Sequence, residues 1–239
     1  METIIITGAG TGIGAAAAER LSHRKNTRLI LVGRRAEKLE KVRESLVGEH
    51  LVWSMDVANR MEWRHLLQSD EANLIEHPLV GLFANAGIGG PNSFDFDAAL
   101  DAWDEIIRIN LTGTYISVEA CKPYFEASKT RGERHVVVTS SVLARFGVPG
   151  QAAYVASKTG LLGLVRSWAS SWSCDGILVN AICPGWVDTE MAKNSIAAMA
   201  VHSGQDFDQE YAHQADLLPT KHMSSPREVA ELVHWLMSD

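Results

Sequence analysis

The chain has 239 residues, 46% of them hydrophobic, a size that supports one large core without calling for a second domain. A formal net charge of −7 and the lack of any Lys/Arg run argue against nucleic-acid or anionic-membrane partners and leave a small-molecule ligand as the expectation. Cys121, Cys174 and Cys183 are odd in number and lack metal-ligand spacing, so small buried thiols, a reduced compartment and no metal are expected.

In chain order, residue 1 leads almost directly into TIIIT at 3–7, which leaves no room for a secretory signal. No later run approaches the ~18 apolar residues of a membrane span, so a cytoplasmic protein without membrane association is expected. TGAGTGIG, Thr7 to Gly14, follows this first strand and opens a helix. Gly8, Gly12 and Gly14 let the backbone turn tightly against a pyrophosphate, which helix N–H groups stabilise, and Thr11 and Ile13 belong to the same turn. The spacing differs from GxGxxG, and a plain strand-to-helix turn is the alternative.

The second apolar run, LILV at 29–32, ends at Gly33, Arg34 and Arg35. This lies ~20 residues past the glycines, where an NAD-binding unit carries a carboxylate for the ribose 2′-OH. A guanidinium there can hold a 2′-phosphate, which favours NADP(H) while leaving NAD(H) possible; ordinary solvated arginines are the plain alternative. A helical pattern, AEKLEKVRESL at 36–46, separates this run from LVWSM at 51–55, which leads to Asp56 and Val57, where a carboxylate can accept from an adenine amino group. VGLFA at 80–84 precedes Asn85, Ala86 and Gly87. Asn110, in RINLTG, falls within a predicted helix, where Asn has poor propensity and a surface position is the plain reading. SKTRGER at 128–134, with Lys129, Arg131 and Arg134, reads as a solvated loop before the strand HVVVT at 135–139, which delivers Ser141.

Tyr154 and Lys158 then stand four residues apart at the small-residue start of a helix, on one face. A phenol titrates near pH ~10, and a cation within ~4–6 Å would lower that by ~1–3 units. Such a Tyr can protonate a carbonyl oxygen as hydride reaches carbon, or remove an alcohol proton in reverse; taken alone, the pair reads first as a half-buried Tyr beside a surface Lys, and only its company turns that round. The last strand pattern, ILVNAI at 177–182, precedes Pro184, Gly185, Val187 and Thr189. Apolar strands alternating with helices imply an α/β chain, a single Rossmann-like domain over 1–239 with a doubly wound parallel sheet and helices on both faces. In such sheets ligands bind beyond the carboxyl ends of the strands, where Gly8, Asp56, Asn85, Ser141 and Pro184 all fall. Residues 189–225 are long enough to fold over a ligand as a lid. Met191, Met199, Phe207, Tyr211, Leu217 and Leu218, with Trp186, Arg145 and Phe146 nearby, suit an apolar acyl or cyclic substrate, or equally the core contacts of a lid helix.

The ordered set TGxxxGIG (Thr7 to Gly14), NAG (Asn85 to Gly87), Asn110, Ser140 with Ser141, YxxxK (Tyr154 to Lys158) and PG (Pro184, Gly185) resembles the classical short-chain dehydrogenase/reductase family over nearly the whole chain. The resemblance implies interconversion of a ketone and a secondary alcohol. Tyr154 would be the acid/base, Lys158 would lower its pKa and bind nicotinamide ribose hydroxyls, Ser141 would orient the carbonyl, and Asn110 would hold a relay water. Asn85, Ala86 and Gly87 would line the cofactor, and Val187 and Thr189 would hold its carboxamide. VNAICPGWVDTEMA is similar to 3-oxoacyl thioester (acyl-carrier-protein) reductases and polyketide ketoreductases, and also to 3-hydroxyacid and other secondary-alcohol dehydrogenases. A homo-oligomer, dimer or tetramer, is implied too, and a dinucleotide-binding regulatory protein without turnover is the alternative. Two departures stand out. Many NADP-preferring members carry a basic residue where Thr11 stands, so that preference rests on Arg34. The chain stops after SPREVAELVHWLMSD, where the family adds a further strand, so one sheet edge is expected to lack a partner.

Overall fold

The structure, a computed structural model, describes residues 1–90, 101–128 and 132–238. Six strands, β1 (Glu2–Thr7), β2 (Thr27–Gly33), β3 (Leu51–Ser54), β4 (Leu79–Ala84), β5 (Arg134–Thr139) and β6 (Ile177–Ile182), form an all-parallel sheet in the order β3-β2-β1-β4-β5-β6. Between and after them come α1 (Gly12–Ser22), α2 (Ala36–Ser45), α3 (Arg60–Gln68), α4 (Trp103–Ile106), α5 (Thr114–Ala127), α6 (Ala152–Trp172), α7 (Glu190–Ser203), α8 (Phe207–Asp216) and α9 (Pro226–Leu236). Residues Ile107–Gly113, between α4 and α5, wind as a π-helix.

The strands read as unbroken apolar runs because both sheet faces are covered. Alternate side chains go to opposite sides: Ile5, Ile30, Val32, Leu82, Val136 and Val138 pack with Trp63 of α3, Phe125 of α5 and Trp168 of α6. Ile4, Ile6, Leu29, Leu31, Phe83 and Val137 pack with Leu21 of α1, Leu39 of α2 and Val233 of α9. Each such side chain contributes roughly 1.5–3 kcal/mol on burial, so these two layers supply most of the drive to fold. The strand order reverses direction between β1 and β4, which opens a crevice beyond their carboxyl ends.

Several local expectations are corrected. Arg134 is not part of a solvated loop but the first residue of β5, where its guanidinium donates to the Gly132 carbonyl at 2.9 Å and the Asp175 carbonyl at 3.1 Å. Lys129 and Arg131 lie outside the described residues. Cys121 is buried as expected, whereas Cys174 and Cys183 are exposed, because they fall in the connections flanking β6 and not within a packed element. The 189–225 segment contains the helical pair α7 and α8, and its inner packing is carried by Ala192, Ile196 and Ala200. Met191, Phe207 and Leu217 are exposed, and Phe207 lies against Tyr211 with ring centroids 5.9 Å apart. Among the described residues, β6 has no strand on its outer side, and no helix is long and apolar enough to cross a membrane.

Candidate active site

The glycine turn is built by steric demand. Gly8 and Gly12 adopt φ of +65° and +56°, a region that L side chains rarely occupy. Gly14 is excluded from bearing a side chain for another reason: a Cβ there would lie 2.2 Å from the Gly8 carbonyl oxygen. Thr11 caps α1 without a side-chain hydrogen bond, and the first turn carries no acid. The helix terminus therefore offers N–H groups and a positive dipole end to an anion. Ile13 packs at the margin of the apolar layer beneath.

Asn85 fastens the crevice together. Its N–H and that of Ala86 donate to Thr7 Oγ1 at 2.9 and 3.0 Å. Its side-chain amide donates to the Thr7 carbonyl at 3.2 Å and accepts from Thr139 Oγ1 at 3.1 Å. One side chain thus ties the ends of β1, β4 and β5. On the far side, Val142 N–H donates to the Pro184 carbonyl at 2.9 Å, Val187 is buried and bridges Ser224, and Gly185 is exposed. Thr189 caps α7 by accepting from Ala192 N–H, and its methyl lies 3.1 Å from where a Gly12 Cβ would project. Two segments far apart in sequence are thereby brought to the same turn.

Asn110 is wholly buried, not a surface residue. It lies in the π-helical stretch, a local irregularity that recurs at functional sites. Its Oδ1 accepts from Ile88 N–H at 2.8 Å, while its Nδ2 donates to the Ile88 carbonyl at 2.9 Å and to Ser157 Oγ at 3.2 Å. These bonds occupy the side-chain amide in fixing the Gly87–Ile88 backbone.

Lys158 is buried, and its ammonium donates to the Thr139 carbonyl at 2.8 Å, with Nζ 5.6 Å from the Tyr154 ring centroid. Burial pushes the ammonium down to about 8. Ser140 Oγ donates to the Lys158 carbonyl at 2.8 Å and pins this turn of α6 to the end of β5. Ser141 caps the short 3₁₀ turn that follows, accepting from Leu143 N–H at 3.1 Å, and is hydrogen-bonded to the Tyr154 phenol. The net shift of the phenol pKa is upward even with a cation beside its ring. Burial of the phenol raises it above its ordinary value, and the Ser141 bond only partly opposes that. The physical reason is that both groups are desolvated together, and burial weighs on the phenolate more than its partners relieve it.

Beyond the end of β2, Arg34 and Arg35 are exposed. Val57 is buried, and its carbonyl accepts from Trp63 Nε1 at 2.9 Å. Asp56 is not a free acceptor: Arg108 Nη1 donates to its Oδ2 at 2.7 Å and Ala58 N–H to its Oδ1 at 2.9 Å. Partial burial would raise the Asp56 pKa, but the Ala58 N–H, the Arg108 guanidinium and the Arg34 charge outweigh it and hold the carboxyl below its usual value. Arg108 also grips Glu105 with two bonds, at 2.7 and 2.8 Å, and Glu105 in turn lies 3.6 Å from Arg34 Nη1.

The residues present fit a pyridine dinucleotide: a turn with no room for a Cβ at Gly14, an open helix terminus, and arginines at the end of β2. Gly8, Gly12, Ser141, Tyr154, Lys158, Pro184 and Thr189 gather at one end of the sheet, as the sequence implied. Thr7 was legible as the first residue of the glycine motif, whereas Thr139, Glu105 and Arg108 were not singled out. Glu105 and Arg108 have i,i+3 spacing, but only packing brings them to Asp56 and Arg34.

Comparison with known proteins agrees with this geometry. Residues 2–200 match the short chain dehydrogenase family. The 3-oxoacyl-[acyl-carrier-protein] reductase FabG of Aquifex aeolicus is 32% identical over 238 residues, covering 98% of this chain and 89% of that protein. The crystal structure of levodione reductase superposes with a TM-score of 0.88 at 30% identity, covering 100% and 91% of the two chains. An actinorhodin polyketide ketoreductase solved with NADPH gives 0.86 at 28% identity, covering 99% and 90%. The chain belongs to the short chain dehydrogenase family and is an oxidoreductase of secondary alcohols and ketones, built on that family's Rossmann-like parallel sheet.

Proposed function

We propose that the protein is an NADP(H)-dependent ketoreductase in which Tyr154 is the general acid/base, acting on an apolar ketone such as a 3-oxoacyl thioester or a cyclic ketone. The observation that carries this reading is the convergence of the Ser141–Tyr154 hydrogen bond and the buried Lys158 ammonium on the sheet end that also bears the glycine turn. A nicotinamide cofactor, when bound, supplies or accepts the hydride. The chain's own part is proton handling and orientation. Tyr154 and Ser141 present two hydroxyls to the substrate oxygen, and the phenol, protonated at neutral pH like any tyrosine, donates its proton as the carbonyl is reduced. Lys158 sets a positive charge beside the ring that favours the phenolate once the proton has left. Asn110 holds the Gly87–Ile88 backbone against the same crevice. Gly8, Thr11, Gly12, Ile13, Gly14, Asn85, Ala86 and Gly87 form the pyrophosphate side, Pro184, Gly185, Val187 and Thr189 the nicotinamide side.

Arg34 and Arg35 support NADP(H), as does the similarity to a ketoreductase solved with NADPH. The exposed Met191, Phe207 and Leu217 on and after α7 and α8 support an apolar substrate. The same reading takes the protein as a cytoplasmic homo-oligomer, on the family's pattern. A second reading, an NAD-dependent secondary-alcohol dehydrogenase, is favoured by one observation, the Glu105 carboxylate beside Arg34.

The test is nicotinamide absorbance decay with purified protein, NADPH against NADH, over 3-oxoacyl thioesters, cyclic ketones and diketones. NADPH-driven turnover is expected. Tyr154→Phe should cut it by ~10²–10⁴-fold with cofactor affinity kept. Turnover mainly with NADH overturns the 2′-phosphate reading. Tight cofactor binding without turnover on any ketone favours a non-catalytic binding protein.

A further inference from the structure

We infer that Glu105 sets the cofactor preference of this protein by competing with a cofactor 2′-phosphate for Arg34, and that Arg108 is the positioning residue that holds Glu105 in place. The inference rests on the reading of Arg34 as the 2′-phosphate group's partner, and it deepens that reading.

The end of β2 carries no acid, yet a carboxylate stands there all the same, delivered from α4 through the tertiary fold. Glu105 Oε1 is 3.6 Å from Arg34 Nη1, beyond normal hydrogen-bond length, and both side chains are about half exposed, 56% for Arg34 and 44% for Glu105. Such a pair is weak and open to competition. The other side of Glu105 is firmly held. Arg108 donates to both its oxygens, from Nε at 2.7 Å and Nη2 at 2.8 Å, and its remaining Nη1 reaches Asp56 at 2.7 Å. Asp56 is fixed in turn by Ala58 N–H. The result is a chain of alternating charge, Arg34, Glu105, Arg108, Asp56, with a loose bond at Arg34 and tight ones beyond.

The consequence for the two cofactors is opposite in sign. A 2′-phosphate carries about −1.5 to −2 charge near neutral pH, so at Arg34 it must displace a carboxylate that Arg108 prevents from retreating, and it is then repelled by it. An unphosphorylated ribose presents a hydroxyl, a donor that a carboxylate can accept. Glu105 therefore works against NADP(H) and for NAD(H), while Arg34 works the other way. The preference is the balance of the two residues and not the property of Arg34 alone.

The experiment is a set of binding titrations on the intact protein with NADPH, NADH, adenosine 2′,5′-bisphosphate and 5′-AMP, at two salt concentrations. The proteins are wild type, Glu105→Gln, Glu105→Asp, Arg34→Ala and the Glu105→Gln/Arg34→Ala pair. Glu105→Gln should tighten NADPH and the bisphosphate about three- to fivefold, leave NADH and 5′-AMP unchanged or weaker, and lose much of the gain at high salt. Glu105→Asp, which keeps the charge, should stay near wild type. On the Arg34→Ala background the Glu105→Gln gain should shrink, since the shared partner is gone. Arg108→Met, which releases Glu105, should shift the NADPH-to-NADH ratio in the direction of Glu105→Gln, a change that a purely structural role would not produce. A Glu105→Gln protein with an unchanged ratio, or with both cofactors weakened alike, overturns the inference. If Arg34→Ala still weakens NADPH selectively, the NADP reading survives that failure; if Arg34→Ala leaves NADPH untouched, the reading falls and the inference with it.

Discussion

At the scale of single residues, Lys158 gives the sharpest consequence. Its ammonium is lowered by burial from 10.5 to about 8, so between those values the unfolded chain binds a proton that the folded chain has released. Stability therefore rises with pH across that window, and below pH ~8 the full cost of burying the charge is present. Denaturant unfolding of wild type and Lys158→Met at pH 7 and pH 10 should show their difference moving in favour of wild type by roughly 2–3 kcal/mol. A difference independent of pH would mean the ammonium is not desolvated. Gly14 is constrained as tightly by space as Lys158 is by charge. A methyl 2.2 Å from the Gly8 oxygen cannot be accommodated without moving the turn or α1. Gly14→Ala should weaken cofactor binding more than tenfold and cost roughly 1–3 kcal/mol, measured by titration and thermal melting.

At the scale of elements, helix ends and interiors make separable contributions. Ser225 and Glu228 form a reciprocal capping box at the start of α9, with Pro226 in the first turn, whose missing N–H is not needed there. α9 covers one face of the sheet through Val229, Ala230 and Val233, so fraying at this end exposes apolar surface. Ser225→Ala should cost about 1 kcal/mol, a fall in Tm of roughly 2–4 °C, with kcat unchanged. α6 offers the converse. Gly163 lies in its interior, and a methyl added there would meet nothing within 4 Å, so Gly163→Ala should raise stability by up to ~1 kcal/mol. Loss of stability there would point to a further contact on that face. The π-helical stretch between α4 and α5 is the element whose irregularity has a visible use, since it places Asn110 against Ile88 and carries Arg108 toward Asp56.

At the scale of the whole molecule, the crevice is a product of sheet topology. β1 and β4 part their connections to opposite faces, and the glycine turn, Asn85 and the end of β5 close around the gap. A ligand that binds across these segments stabilises the folded state by mass action, about 2.7 kcal/mol at a hundred times its Kd. NADPH at that excess should raise Tm by several degrees, and NADH at the same concentration by less. Equal shifts would argue that Arg34 does not discriminate. In the Arg34→Ala protein the NADPH shift should fall toward that of NADH.

The parallel sheet and the helices on both faces were legible in the chain itself, and so were Ser141, Tyr154 and Lys158 as candidates at one end of that sheet. Apolar runs such as LILV and HVVVT state a strand buried on both sides, the spacing of Tyr154 and Lys158 states a shared helix face, and glycines such as Gly8 and Gly12 state a turn that other residues cannot make. These are local demands of sterics and periodicity. What the tertiary structure decided is how distant groups meet. The fold turned Asn110 from a surface position into a buried fastener, raised the Tyr154 pKa where spacing to Lys158 suggested a fall, and set Glu105 beside Arg34. Desolvation and ion pairing depend on which segments pack together, and no local pattern encodes that.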